Sequence, residues 1–164
     1  MAIAVYAGSF DPITLGHVSV LRQAASLFGH VRVLVAHNPE KTYLFVPDER
    51  VEMVREVVSA MPNVSVDCVE GLVVEYARNI AARFLVRGVR GASDAGFETE
   101  LAQANRVLAP EITTILLPAE QDVAEVSSSG LKALAARGES LEGFCPPSVA
   151  RHLRARLGAG MTDR

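Results

Sequence analysis

Residues 8–17 are the stretch of the sequence with the clearest capacity for chemistry, because they combine glycines, hydroxyls and a histidine at a turn. They follow an apolar run at residues 3–7 that is typical of a buried strand. Apolar residues at helical spacing come next, so a helix should begin near Thr14 or Leu15. A strand that turns into a helix points free backbone N–H groups and partial positive charge at the turn. The sequence therefore predicts an anion site at this junction, with His17 in the first helical turn.

Other polar groups come directly after further predicted strands, at residues 31–36, 64–69, 84–86 and 113–117. In chain order they are Lys41, the segment from Gly71 to Val73, Arg87 and Arg90, and the serines 127–129. In an open parallel sheet, ligands bind beyond the carboxyl ends of the strands, where the winding direction switches. We therefore expect these groups to converge on one site.

The elements that must position these groups alternate between strand and helix patterns. The helices are expected to start near Leu15 and at Pro47, to run over residues 72–83, to include Phe97 and Leu108, to start after Ser127, and to start at Pro147. Five near-continuous apolar strands separated by helices indicate an α/β fold, a Rossmann-like doubly wound five-stranded parallel sheet with helices on both faces. We expect a single domain over residues 1–157, followed by a disordered tail at 158–164.

Composition narrows the class of protein. Of the 164 residues, 49% are hydrophobic and 21% are charged, which is an ordinary globular balance. The formal charge of −3 gives no general attraction to nucleic acid. With no recognisable leader or membrane-spanning run, and with Cys68 and Cys145 far apart, we expect a cytoplasmic protein with reduced thiols and no membrane partner.

Several motifs carry a resemblance to a known family. Thr14-Leu15-Gly16-His17 resembles the T/H-x-G-H signature of nucleotidylyltransferases, and the wider run from Gly8 is similar to the opening of the bacterial phosphopantetheine adenylyltransferase family. The matching segments further along are 38–41, Arg87 to Arg90, the spaced set Asp94, Glu98 and Asn105, and 126–129. The resemblance covers about residues 3 to 157.

The resemblance implies a role for each matching residue. His17, Lys41 and Arg90 are implied to be catalytic. The phosphopantetheine site is implied to consist of Ser9, Lys41, Val73 and Arg87. The ATP site is implied to consist of Ser9, Phe10, His17, Gly88, Val89, Arg90, Glu98, Ser127, Ser128 and Ser129, with Asp94 and Asn105 supporting it. Asp11 and Pro12 are expected to shape the loop.

The implied reaction is attack of the 4′-phosphate of phosphopantetheine on the α-phosphorus of ATP, giving dephospho-coenzyme A and pyrophosphate. A phosphate monoester has a second pKa of about 6, so it is already anionic at neutral pH and needs no general base. Mg²⁺ is expected on the nucleotide phosphates and not in a site made by the protein. The resemblance further implies a homohexamer and coenzyme A as a feedback ligand.

Alternatives remain at this point. His17 could simply cap a helix, Lys41 could be solvated, and the two arginines could pair with Glu98, Asp94 or Glu100. Residues 95–97 and 122–125 depart from the family pattern on the expected adenine side. A nucleotidylyltransferase with another phosphate acceptor, or a non-catalytic module that binds nucleotide or coenzyme A, would share most of these features.

Overall fold

The apolar runs of the sequence become the strands of one sheet in the computed structural model, which describes residues 1–158. In chain order the elements are β1 (Ile3–Gly8), α1 (Leu15–Leu27), β2 (His30–His37), α2 (Pro47–Val58), β3 (Val64–Glu70), α3 (Val73–Asn79), β4 (Phe84–Val89), α4 (Ala92–Leu108), β5 (Thr113–Pro118), α5 (Gln121–Ala124), α6 (Ser128–Ala136) and α7 (Pro147–Leu157). The N–H of Gly158 caps α7 by donating to Arg154 O. The rest of the predicted tail, residues 159–164, lies outside the described residues.

All strand pairs in the sheet are parallel, and the strand order is β3-β2-β1-β4-β5. The chain first builds outward from β1 to β3, then returns to add β4 on the other side of β1. This reversal places a crevice between the carboxyl ends of β1 and β4. The predicted fold class, a single-domain doubly wound parallel sheet, is confirmed.

Both faces of the central strands are buried, as a parallel sheet with helices on each side requires. Along β1, Ala4 and Tyr6 join the core that includes residues of α1, α2, α6 and α7. Val5 and Ala7 point the other way, into a smaller core with Val74 and neighbouring residues of α3. The two-residue period of the strand therefore assigns alternate side chains to the two layers.

The helices differ from the sequence prediction in two places. α3 ends at Asn79 and not at residue 83, because Ala81 adopts a φ of 56° and turns the chain toward β4. The short helix α5 lies in a segment where the sequence analysis predicted no helix. Within residues 1–158, no helix has the length and apolar character needed to cross a bilayer.

The longest helix, α4, includes Phe97 and Leu108, as the sequence predicted. Glu98 is its only buried residue. The exposed fractions are 64% for Phe97, 83% for Val107 and 51% for Leu108. The helix therefore presents an uncovered apolar surface.

Candidate active site

The turn between β1 and α1 is organised by hydrogen bonds between Thr14 and His17. The Thr14 hydroxyl accepts from His17 N–H at 3.3 Å, and Thr14 N–H donates to His17 Nδ1 at 3.0 Å. Thr14 is thus the N-cap residue of α1, which confirms the predicted helix start. Because Nδ1 accepts a hydrogen bond, the proton of the neutral ring is assigned to Nε2. This leaves an N–H donor for a ligand.

His17 is held in its neutral form. Burial is the largest cause that lowers its pKa, and together with the positive charges of Arg90 and Arg87 it brings the pKa to about 4. The sequence analysis allowed the ring to do no more than cap a helix. The structure assigns it that capping bond and also places it in the wall of a cavity.

A cavity of about 390 Å³ lies beyond the carboxyl ends of β1 and β4. Most of the residues that the sequence predicted for the site line it: Ser9, Phe10, His17, Arg87, Gly88, Arg90, Asp94, Glu98, Ser127, Ser128 and Ser129. The lining also includes residues of the predicted motifs to which no individual role was assigned, Gly8, Thr14, Gly16 and Val126. It further includes residues that were not predicted: Tyr6, Ala7, Val20, Phe97 and Ala119. The imidazole of His17 and the guanidinium of Arg87 therefore share one cavity.

Both cavity arginines form ion pairs, the alternative that the sequence left open. Arg87 makes a bidentate pair with Glu98, with Nε–Oε2 and Nη2–Oε1 distances of 2.7 and 3.0 Å, and its Nη1 donates to Ala7 O at 2.7 Å. Arg90 Nε donates to Asp94 Oδ2 at 2.9 Å, which lowers the pKa of that carboxyl. Arg90 is 44% exposed and has N–H groups left over for an anion.

The N-terminus of α6 forms the opposite wall. The hydroxyl of Ser127, the N-cap residue, accepts from Gly130 N–H at 3.1 Å. Ser128 Oγ donates to Pro12 O at 2.8 Å and so joins this wall to the β1–α1 turn. Ser129 lies exposed at the rim. The positive ends of α1 and α6 thus both face the cavity.

Four predicted site residues lie outside this lining. Lys41 is exposed on the β2–α2 loop, where its N–H donates to Asn38 O. Val73 begins α3, Val89 ends β4 and Asn105 lies in the second half of α4; all three are half-buried. The structure does not bring these residues to the cavity wall, and their roles stay predictions.

Arg50 is a residue of the site region that sequence reasoning missed. It is fully buried, and its guanidinium donates to Ser9 O at 2.7 Å, Phe45 O at 3.1 Å and Ala36 O at 3.3 Å. It also donates to His37 Nδ1 at 2.8 Å. No carboxylate of residues 1–158 forms an ion pair with it. Arg50 therefore fastens the Ser9 turn to the loop that carries Lys41.

The helical spacing of Arg50 contained a signal for this burial. It lies four residues before Val54 and eight before Val58, on the apolar face of α2. The position of Arg50 on the apolar face of α2 therefore predicted its burial better than its charged side chain did.

Asp11 shapes the loop, as the sequence predicted. Its carboxylate accepts from the N–H groups of Leu44 and Phe45, both at 2.9 Å, and from Lys132 Nζ at 3.1 Å. With Arg50, it fixes the β1–α1 turn against the β2–α2 loop and α6. The described residues contain no group of three or more His, Cys, Asp or Glu that could hold a metal ion.

Comparison with known proteins agrees with this architecture. Residues 5–134 match the model of the family described as cytidylyltransferase-like. The phosphopantetheine adenylyltransferase of Desulforudis audaxviator is 47% identical over 158 residues, covering 96% of this chain and 97% of that protein. The phosphopantetheine adenylyltransferase of Herpetosiphon aurantiacus is 45% identical, covering 94% of this chain and 93% of that protein.

A solved structure shares the fold at much lower identity. It is a protein of Vibrio parahaemolyticus described as a nicotinate-nucleotide adenylyltransferase, with a TM-score of 0.70 and 18% identity. The match covers 94% of this chain and 93% of that one. The chain is a member of the cytidylyltransferase-like family and, within it, belongs to the phosphopantetheine adenylyltransferases.

Proposed function

We propose that this chain transfers the adenylyl group of ATP to 4′-phosphopantetheine, giving dephospho-coenzyme A and pyrophosphate. Relatives that are 40–47% identical to this chain, and that align with it over nearly their whole length, are named for that activity. The observation that supports the proposal most directly is one cavity that gathers His17, two arginines and two helix N-termini. Such a cavity suits two polyanionic reactants.

The reaction needs no nucleophile or base from the protein. An oxygen of the acceptor phosphate bonds to the α-phosphorus, and the bond from that phosphorus to the bridging oxygen of the β-phosphate breaks. The bonding electrons leave with pyrophosphate, and no proton has to be removed first. The protein must therefore align two anions that repel each other and stabilise the charge of the transition state.

His17 and the walls beside it are suited to the nucleotide. The Nε2–H of His17 is free to donate to an α-phosphate oxygen because Nδ1 is held by Thr14. The unpaired N–H groups of Arg90 and the N-terminus of α6 provide positive potential for the outer phosphates. We assign these groups, with Phe10, Gly88 and the serines 127–129, to ATP.

Arg87 and Lys41 are assigned to the acceptor phosphate, with Ser9 beside them. The bidentate bond between Arg87 and Glu98 must open or rearrange for Arg87 to accept a phosphate in this role. Lys41 lies on an exposed loop, so its flexible side chain must reach toward the cavity.

Mg²⁺ is proposed to enter on the nucleotide phosphates. The carboxylates that line the cavity are already bonded to arginines, and residues 1–158 do not offer the cluster that an all-protein site needs. A requirement for Mg²⁺ that follows the concentration of ATP, and not that of enzyme, would support this assignment.

We further propose a cytoplasmic homohexamer that coenzyme A inhibits by competing for the acceptor site. The exposed apolar face of α4 supports association between copies of the chain. Light scattering of the wild-type protein and of Val107→Glu tests this: the variant should remain folded and lose subunits. A wild-type monomer would refute the assembly.

The activity is tested by incubating the protein with ATP, Mg²⁺ and 4′-phosphopantetheine and following both products by mass spectrometry. Nicotinate mononucleotide and glycerol phosphate serve as alternative acceptors. Turnover only with an alternative acceptor would reassign the substrate. ATP binding without release of pyrophosphate would indicate a binding module.

A further inference from the structure

The side chain of Tyr6 is a buried polar group in the cavity to which the proposed mechanism gives no role. Tyr6 lies in the middle of β1, is 3% exposed, and packs its ring edge-to-face on Phe10 with 5.4 Å between centroids. It lines the cavity beneath Gly88. Its ring belongs to the core, but its hydroxyl reaches the site.

This hydroxyl has no hydrogen-bond partner among residues 1–158, although buried phenols normally have one. The hydroxyls of Thr14, Ser127 and Ser128, which line the same cavity, are each bonded to another residue. Burial raises the pKa of Tyr6, so the phenol keeps its proton and remains a neutral donor. Because this hydroxyl opens onto the cavity and is not sealed in the core, a bound ligand can supply its acceptor.

The glycine at position 88 keeps this hydroxyl uncovered. A Cβ at that position would lie 3.5 Å from the Tyr6 hydroxyl and 2.9 Å from Val20 Cγ2. The second distance is shorter than side chains tolerate, so a larger residue would displace its neighbours or cover the phenol. The absence of a side chain at Gly88 thus opens a path from the cavity to Tyr6.

Tyr6 faces the side of the site that we assign to the nucleotide. Tyr6, Val20 and Val86 pack in the core beneath α1, whose N-terminus carries His17. Arg87, assigned to the acceptor, follows Val86 on the strand and therefore points to the opposite face, where it bonds to Ala7 O. The side chains of Tyr6 and Arg87 thus leave the sheet from opposite faces, although both line the cavity and the charge of Arg87 acts on the phenol.

We propose that Tyr6 Oη donates a hydrogen bond to an oxygen of the bound nucleotide, which makes Tyr6 an additional substrate-contacting residue of this site. The inference rests on the proposed function for the identity of the nucleotide. The oxygen belongs either to a ribose hydroxyl or to a phosphate, and both are acceptors for a phenol.

Tyr6→Phe tests the proposal because it removes one oxygen and keeps the ring on Phe10. Loss of one such bond is expected to weaken ATP binding roughly 3- to 10-fold by calorimetry, with the melting temperature retained. Tyr76→Phe is the matched control, because Tyr76 donates to Asp67 outside the cavity. That variant should bind ATP as the wild type does.

Deoxynucleotides identify the oxygen. If the partner is a ribose hydroxyl, the effect of Tyr6→Phe disappears with either 2′-deoxy-ATP or 3′-deoxy-ATP. If it persists with both, the partner is a phosphate oxygen. Unchanged ATP affinity in folded Tyr6→Phe, or a change confined to the KM of the acceptor, would overturn the proposal.

Calorimetry needs no turnover, so the two proposals can fail separately. A wild-type protein that binds ATP but forms no dephospho-coenzyme A would refute the proposed activity. The affinity of Tyr6→Phe for ATP would still test the proposed hydrogen bond in that case.

Discussion

Two of the walls of the cavity, at the starts of α1 and α4, are built in different ways. The wall at the start of α1 is buried and bonded within itself: Thr14 is 3% exposed, and it holds both the backbone and the ring of His17. The wall at the start of α4 depends on charged pairs, and Arg90 and Asp94 in it are 44% and 32% exposed. The α1 wall is fixed by hydrogen bonds within the fold. The α4 wall is held by side-chain ion pairs, in which an anionic ligand can take the place of the carboxylate.

This difference separates two tasks. A donor that stabilises a transition state works best when it needs no rearrangement during the reaction, which fits the rigid α1 wall. A group that grips and releases a phosphate must exchange partners, which fits an arginine paired with a carboxylate. The following changes test whether the contrast holds.

The largest expected effect is that of His17→Ala in the rigid wall. Loss of one preorganised donor commonly costs on the order of 100–1000-fold in rate, and the affinity for ATP should change far less. Steady-state kinetics and calorimetry measure the two quantities. His152→Ala on α7 is the control and should leave both unchanged, whereas near-normal turnover by His17→Ala would remove the distinction between the walls.

Arg50→Met tests the support behind the rigid wall. Its replacement leaves the carbonyls of Ser9 and Phe45 without their buried donor, so the free energy of unfolding should fall by about 3 kcal/mol. Urea titration measures this change. Arg156→Met is the matched control: Arg156 reaches Leu44 O from outside, is half-exposed, and its replacement should cost about 1 kcal/mol or less. Equal losses in the two variants would contradict the prediction.

The protonation of His17 gives a test by pH. Its pKa of about 4 in the folded chain lies below its unfolded value of 6.5, so between these values only the unfolded chain takes up the proton. Uptake of this proton by the unfolded chain therefore destabilises the fold as pH falls from 6.5 toward 4. NMR of the imidazole should show a neutral ring with the proton on Nε2 at pH 6. A ring that titrates near 6.5 would refute the rigid, desolvated environment.

The smallest effect is expected in the exchangeable wall. Asp94→Asn removes the exposed partner of Arg90, and such pairs contribute about 1 kcal/mol or less to stability. Thermal denaturation compares this variant with Asp122→Asn, a control on the exposed surface of α5. A loss of several kcal/mol in Asp94→Asn would mean that the α4 wall is as firmly built as the α1 wall.

The sequence predicted the rigid wall better than the exchangeable one. Residues 8–17 act through local turn and capping geometry, which depends on near neighbours, so the helix start at Thr14 could be read directly. The apolar spacing in α4 predicted a helix but not its exposure, because periodicity reports an apolar face without saying what covers it. Arg50 was missed because its partners are distant in sequence, as the 41-residue separation of Arg50 and Ser9 illustrates.

The position of β1 at the centre of the sheet has a consequence during synthesis on the ribosome. β1 emerges well before its neighbour β4, which begins only at Phe84, and the serines of α6 follow more than forty residues after that. Until β4 emerges, one edge of β1 has no hydrogen-bonding partner, and such open edges invite pairing with other chains. A nascent chain ending near residue 80 should therefore depend on chaperones and bind no nucleotide, since half of the cavity has not yet been made.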